Sequence, residues 1–102
     1  MVYDDVAPGS PSERDFGFND QIRRAAVSIM NNIAEGFERK GDAEFARFLS
    51  ISKGSCGEVR SMYYLAQDRG YVDEETAVIR RDLAREIAGG ISSLIAHLKA
   101  GQ

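Results

Sequence analysis

The chain is short of the residues that would commit it to chemistry. In 102 residues it has one cysteine (Cys56), one histidine (His97), two prolines and no tryptophan. A single cysteine excludes an internal disulfide and suits a reducing compartment. One histidine and one cysteine are too few for a tetrahedral zinc set. No apolar run approaches the roughly 18 residues needed to cross a bilayer. The N-terminus, MVYDDVAPGSPSERDFG, is acidic and rich in Pro, Gly and Ser, which is not the pattern of a signal peptide. A cytoplasmic protein without membrane contact is the expectation. An excess of basic charge is also missing. Thirteen Lys and Arg stand against sixteen Asp and Glu, a net charge of −3, which disfavours a surface devoted to nucleic acid. Alternating β-branched runs and Asn-Gly hairpin signals are absent too.

What is present is helical periodicity. Residues 1–18 contain both prolines and repeat nothing at helical spacing, so they read as a flexible N-terminal arm. Residues 19–102 read as one helical bundle domain, the size of a single core. The first helix is predicted to start at Asn19 or Asp20, either of which can cap it. It places Ile22, Ala25, Ala26, Ile29 and Ile33 on one face, and Gly36 is predicted to end it. A second helix is predicted from Asp42, as N-cap, to Arg69, closed by Gly70 with Tyr71 and Val72 packing back. Asp73 is predicted to cap a third, whose core stripe would be Ile79, Leu83, Ile87, Ile91, Leu94 and Leu98. Short connections between long helices predict an antiparallel, up-down, all-α bundle.

Polar residues interrupt the apolar pattern. Arg24, Ser28, Asn32 and Glu35 form a second stripe on the first helix, which a plain core helix would not need. They are candidates for an interhelical polar network that sets helix register. The second helix has Ser52-Lys53-Gly54-Ser55-Cys56-Gly57 at its centre, where glycine costs about 1 kcal/mol against alanine. Close approach of another helix is the expected reason. Catalysis has little support. His97 lies in a helix end where a histidine suits the dipole, and Cys56 sits among small seam residues. No catalytic, cofactor or metal residues are assigned. The basic residues Arg23, Arg39, Lys40, Lys53 and Arg60 are the candidates for nucleic-acid contact, but acidic residues are interleaved with the basic ones, as on a solvated helix face.

The segments QIRRAAVSIMNNIAEGFERK and DAEFARFLSISKGSCGEVRSMYYLAQDRGYVDEE resemble the four-helix bundle family of 23S rRNA intervening-sequence proteins. That family includes the accessory variability determinant of diversity-generating retroelements. The resemblance spans about residues 19 to 98. It implies an antiparallel four-helix bundle that assembles as a homo-oligomer, in some members a pentamer. It also implies a protein partner, or nucleic acid for the basic members that work with a reverse transcriptase. The family pattern fills positions 35 and 58 with glutamate, which adds Glu58 to the network candidates. A two-carboxylate site of Glu35 and Glu58 lacks the Glu-x-x-His pairs of bundle metal centres. One departure stands out. The usual N-terminal helix is missing or truncated, so three long helices would leave a groove lined by Ile22, Ala26, Ile29, Phe48 and Leu83.

Overall fold

The computed structural model describes residues 1–101, and among them there is no strand. The order is α1 (Val2–Asp5), α2 (Phe16–Glu38), α3 (Asp42–Asp68) and α4 (Glu74–Ala100). The three long helices run up, down and up. α3 is central, with α2 on one flank and α4 on the other, and no α2 Cα comes within 8 Å of an α4 Cα. The result is one layer of helices, with principal extents of 47 × 22 × 15 Å. Its Cα radius of gyration is 15.0 Å, against about 13 Å for a compact chain of 100 residues.

Most helix ends follow from local chemistry. Asp73 caps α4 by accepting the Thr76 N–H at 2.7 Å. Gly70 takes φ +74°, which a side chain resists, and so ends α3. Tyr71 N–H then bonds Ala66 C=O at 2.8 Å and Gly70 N–H bonds Gln67 C=O at 3.0 Å, the paired bonds of a Schellman stop. Other ends differ from expectation. α2 starts three residues before Asn19, because Asp15 accepts the Phe18 N–H at 3.2 Å. Gly41, not Asp42, is the N-cap of α3, at φ +96° and with no side-chain cap. Asp42 instead opens the first turn, where a carboxylate suits the dipole.

Gly36 does not end α2, which continues to Glu38. Its function is close packing. A Cβ there would lie 2.8 Å from Phe48 Cβ and 2.9 Å from Phe45 Cδ1. Gly36→Ala is therefore expected to destabilise the fold despite alanine's better helix propensity. Overpacking costs about 1–3 kcal/mol against a propensity gain of about 1 kcal/mol. A thermal melt that rises instead would count against this close approach.

Two larger corrections concern burial. Residues 1–15, set apart above within the arm, fold back onto the helices. Val2 and Val6 are buried in the main core, and Ser12 is buried as well. Two valines are enough to anchor the segment because polar ties support them (below). On α4, the stripe assigned to the core is mostly outside it: Ile79, Leu83, Ile87 and Leu94 are exposed. Ala77, Ala84 and Ile91 are the buried residues. Small side chains and Ile91 take the buried positions on α4, so the other bulky ones fall beside the contact and are only partly covered, Leu83, Ile87 and Leu94 being 36–38% exposed and Ile79 54%. The groove residues divide the same way. Ile22 and Ile29 are buried, Ala26 and Phe48 half-buried, and Leu83 exposed.

Candidate functional site

The polar stripe of α2 meets α3 through hydroxyls. Ser55 Oγ donates to Ser28 Oγ at 2.7 Å, and Asn32 Nδ2 donates to Ser28 Oγ at 3.0 Å and to its C=O at 2.8 Å. Ser52, fully buried, donates to Ile29 C=O at 2.8 Å. These bonds fix the register of α2 on α3, since a buried hydroxyl without a partner is costly. Glu58 is tied across the same seam, accepting from Gln21 Nε2 at 3.4 Å. Arg24 and Glu35 lie outside the network. Arg24 pairs with Asp20 at 2.9 Å and Glu35 with Arg39, both along α2 and both in solvent. The sequence pattern grouped them because i, i+4 spacing puts side chains on one flank without saying what faces it. Ser52 and Ser55, the residues missed as network members, were visible only as small seam positions.

The five basic candidates do not share one surface. Arg23 donates to Val6 C=O at 2.8 Å and so holds the N-terminal segment. Arg39 lies over the Phe48 ring at 5.3 Å, with Arg47 also there at 4.8 Å. Lys40 is exposed in the turn between α2 and α3, and Arg60 is half-buried. Lys53 and Lys99 line a cleft of about 670 Å3 between α3 and α4, with Ser50, Gly54 and Ser92 and no carboxylate. His97 is exposed in the last turn of α4, and Cys56 is buried, which pushes its thiol up. Among the described residues, no cluster of His, Cys, Asp and Glu could hold a metal ion. No helix among them is long and apolar enough to cross a membrane.

The N-terminal segment is held by polar ties. Asp5 Oδ2 accepts from Tyr63 Oη at 2.5 Å and from Arg80 Nε at 3.0 Å. Burial, then the Asp5 bond, pushes the Tyr63 phenol well above its ordinary value. Ser12 C=O accepts from Asn19 Nδ2 at 2.9 Å. At the segment's end Asp15 receives Tyr71 Oη at 2.5 Å and Arg69 Nη1 at 2.6 Å. The Tyr71 bond first, then the Phe18 N–H, hold the Asp15 carboxyl below its ordinary value. A carboxyl depressed in the fold stabilises it above the unfolded-state pKa, and that contribution is lost as pH falls through the folded value. Asp15→Asn is therefore expected to lower Tm at neutral pH and to narrow its gap from wild type as the pH drops below 4, which melts in acetate and formate buffers would check. A gap that widens with acid would refute the assignment.

Beyond these ties the same side of the layer is uncovered. Asn19 and Arg23 touch the N-terminal segment, and Ala26, Met30, Ile33 and Phe37 continue their row along α2 in steps of three and four. On α4, Arg80 touches Asp5, and Leu83, Ile87 and Leu94 continue from it. Met30 is 69% exposed, Phe37 74% and Leu94 37%. Ionised side chains are missing here: Ala25 to Ala34 holds no charged residue, and Ile87 to Leu98 has only His97 as a titratable group. Helix faces kept in water normally carry Lys, Arg and Glu. A contiguous apolar face depleted of charge has the composition of the centre of a protein interface.

A family model described as 23S rRNA-intervening sequence protein matches residues 1–93, and the chain belongs to that family. The match includes residues 1–15 as well as most of the three long helices. Comparison with curated proteins returns no match.

Proposed function

We propose, with that family membership as the premise, that the chain is a non-enzymatic helical-bundle protein that assembles as a homo-oligomer and serves as an interaction module for another macromolecule. The observation that supports this most is the uncharged apolar face formed by α2 and α4 on the side occupied by residues 1–15. Exposed Met30, Phe37 and Leu94 gain from burial at about 25 cal/mol per Å2 of apolar surface removed from water. The seam hydroxyls, by contrast, are used up in holding α2 to α3, so they are structural. The test is native molar mass by light scattering at low micromolar concentration. A discrete oligomer is expected for the wild type, and a helical monomer for the double variant Met30→Glu, Leu94→Glu, whose charges would sit unpaired in the interface. A wild-type monomer would sink the reading.

A second reading, a nucleic-acid-binding accessory factor to a reverse transcriptase or rRNA-associated element, draws on the cleft where Lys53 and Lys99 converge without a carboxylate. It predicts binding to structured RNA that weakens steeply with salt and is lost on Lys53→Gln, Lys99→Gln. Absent or salt-insensitive binding would leave the first reading alone.

A further inference from the structure

We infer that the cleft between α3 and α4 seats a phosphate monoester, held between the ammonium groups of Lys53 and Lys99 with the Ser50 and Ser92 hydroxyls as further donors. The seat is the cleft of the second reading above, on which it rests, and it takes a narrower ligand. That ligand is a terminal phosphate, on a free nucleotide or at an RNA end, and not the diesters along a strand.

Charge selects an anion. Acidic residues outnumber basic ones in this chain, sixteen to thirteen, and arginines elsewhere on it are taken up locally, such as Arg24 by Asp20, Arg69 by Asp15 and Arg80 by Asp5. The cleft departs from that pattern. Lys53 on α3 and Lys99 on α4 line it together without a carboxylate, and among the described residues neither lysine has an ion-pair partner. An adjoining cavity of about 260 Å3 shares Ser50 and Lys99 with it and adds Arg47, which Glu44 already holds at 3.2 Å. Two ammonium groups from different helices, with no counter-charge of their own, attract an anion that lies between them.

Donors and space favour a monoester. Ser52 and Ser55 spend their hydroxyls on α2, whereas Ser50 and Ser92 line the cleft and bond nothing among the described residues. A phosphate monoester carries about −1.5 to −2 at pH 7 and presents three acceptor oxygens, enough for both lysines and both hydroxyls. A phosphodiester has a single charge and two free oxygens. Gly54 forms part of the floor. Glycine weakens a helix interior, yet a Cβ at Gly54 would meet nothing within 4 Å, so no neighbouring helix requires it. A ligand lying against the bare backbone does. At about 670 Å3 the cleft falls within the roughly 300–1,000 Å3 of small-molecule sites. Ile95 and Ala96 supply apolar surface for the organic part of the ester.

The experiment titrates the full chain with adenosine 5′-monophosphate, with adenosine, and with one short oligoribonucleotide carrying either a 5′-phosphate or a 5′-hydroxyl. Amide NMR shifts report the site. Adenosine 5′-monophosphate or the 5′-phosphorylated strand is expected to bind at least tenfold more tightly than its phosphate-free counterpart and to move the amides of Lys53, Gly54 and Ser92. Binding of the free nucleotide alone would identify a small-molecule source, and binding of the strand alone an RNA end; either supports the inference. Lys53→Gln with Lys99→Gln is expected to abolish the preference for phosphate. Gly54→Leu, which fills the floor without a clash, is expected to melt no lower than wild type and to lose binding at least tenfold. Binding that survives Gly54→Leu, or no preference for the phosphate in either pair, would overturn the inference. RNA bound equally with and without its 5′-phosphate overturns it too, and leaves the second reading standing. Nucleotide binding without affinity for structured RNA does the reverse.

Discussion

Leu49→Ala is expected to lower the unfolding free energy by about 2–5 kcal/mol, the range for emptying a buried leucine site. Leu49 is completely buried on α3 and belongs to the main core. A domain of this size loses roughly 4–8 °C in Tm per kcal/mol, so the variant is expected to melt far below wild type. Leu49→Asp is expected not to fold at all, because an unpaired charge would be buried. Leu83→Asp is the informative contrast. Leu83 shares the heptad-like spacing of a core residue, yet it is 38% exposed on the open side of α4. Its aspartate variant is expected to stay helical, with a stability change of about 0.5 kcal/mol or less in the monomer. Circular dichroism melts of the three variants decide the matter. A folded Leu49→Asp, or an unfolded Leu83→Asp, would overturn this division of core from face.

The second large effect is expected at the other end of the molecule. Asp5→Ala removes the acceptor shared by Tyr63 and Arg80, leaving a fully buried phenol and a half-buried guanidinium without their partner. Stranding such groups costs about 1–3 kcal/mol, more where charge is involved. Because α1 is one turn long and anchored by two buried valines, the cost falls on that segment first. Residues 2–6 are expected to lose amide protection in hydrogen exchange while the long helices keep theirs. Tyr63→Phe, which removes the donor and leaves Asp5 paired with Arg80, is expected to cost about 1 kcal/mol. The double variant is expected to cost less than the sum, since both changes break one bond. Unchanged exchange at residues 2–6 in Asp5→Ala would mean that apolar contact alone holds the segment.

Much of the helical framework was legible locally. Asp73 before an acidic first turn marks a helix start, and Gly70 followed by Tyr71 marks a helix stop, because each supplies hydrogen bonds that the chain end lacks. The start of α2 was not legible in that way. Asp15, Asn19 and Asp20 can all cap, and Asp15 prevails in a structure where Arg69 and Tyr71, more than fifty residues away, also engage it. Gly36 was misread for a similar reason. Glycine serves both helix ends and close contacts, and only the position of Phe45 and Phe48 on another helix tells which is meant.

The amino-acid sequence by itself determined the all-α class, three long helices, their order and the short turns between them, since these depend on contacts within about four residues. It also determined the lack of a disulfide, which needs only a count of cysteines. Tertiary structure alone decided which face of α4 is buried and where residues 1–15 go. Periodicity gives the apolar side of a helix to within a broad arc, and the choice inside that arc depends on how closely the neighbour approaches. Here Ala77, Ala84 and Ile91 take the buried positions on α4, which leaves Leu83, Ile87 and Leu94 beside the contact and partly exposed. The N-terminal segment has no periodicity to read, because its attachment depends on single bonds from Asp5 and Asp15 to residues more than fifty positions away.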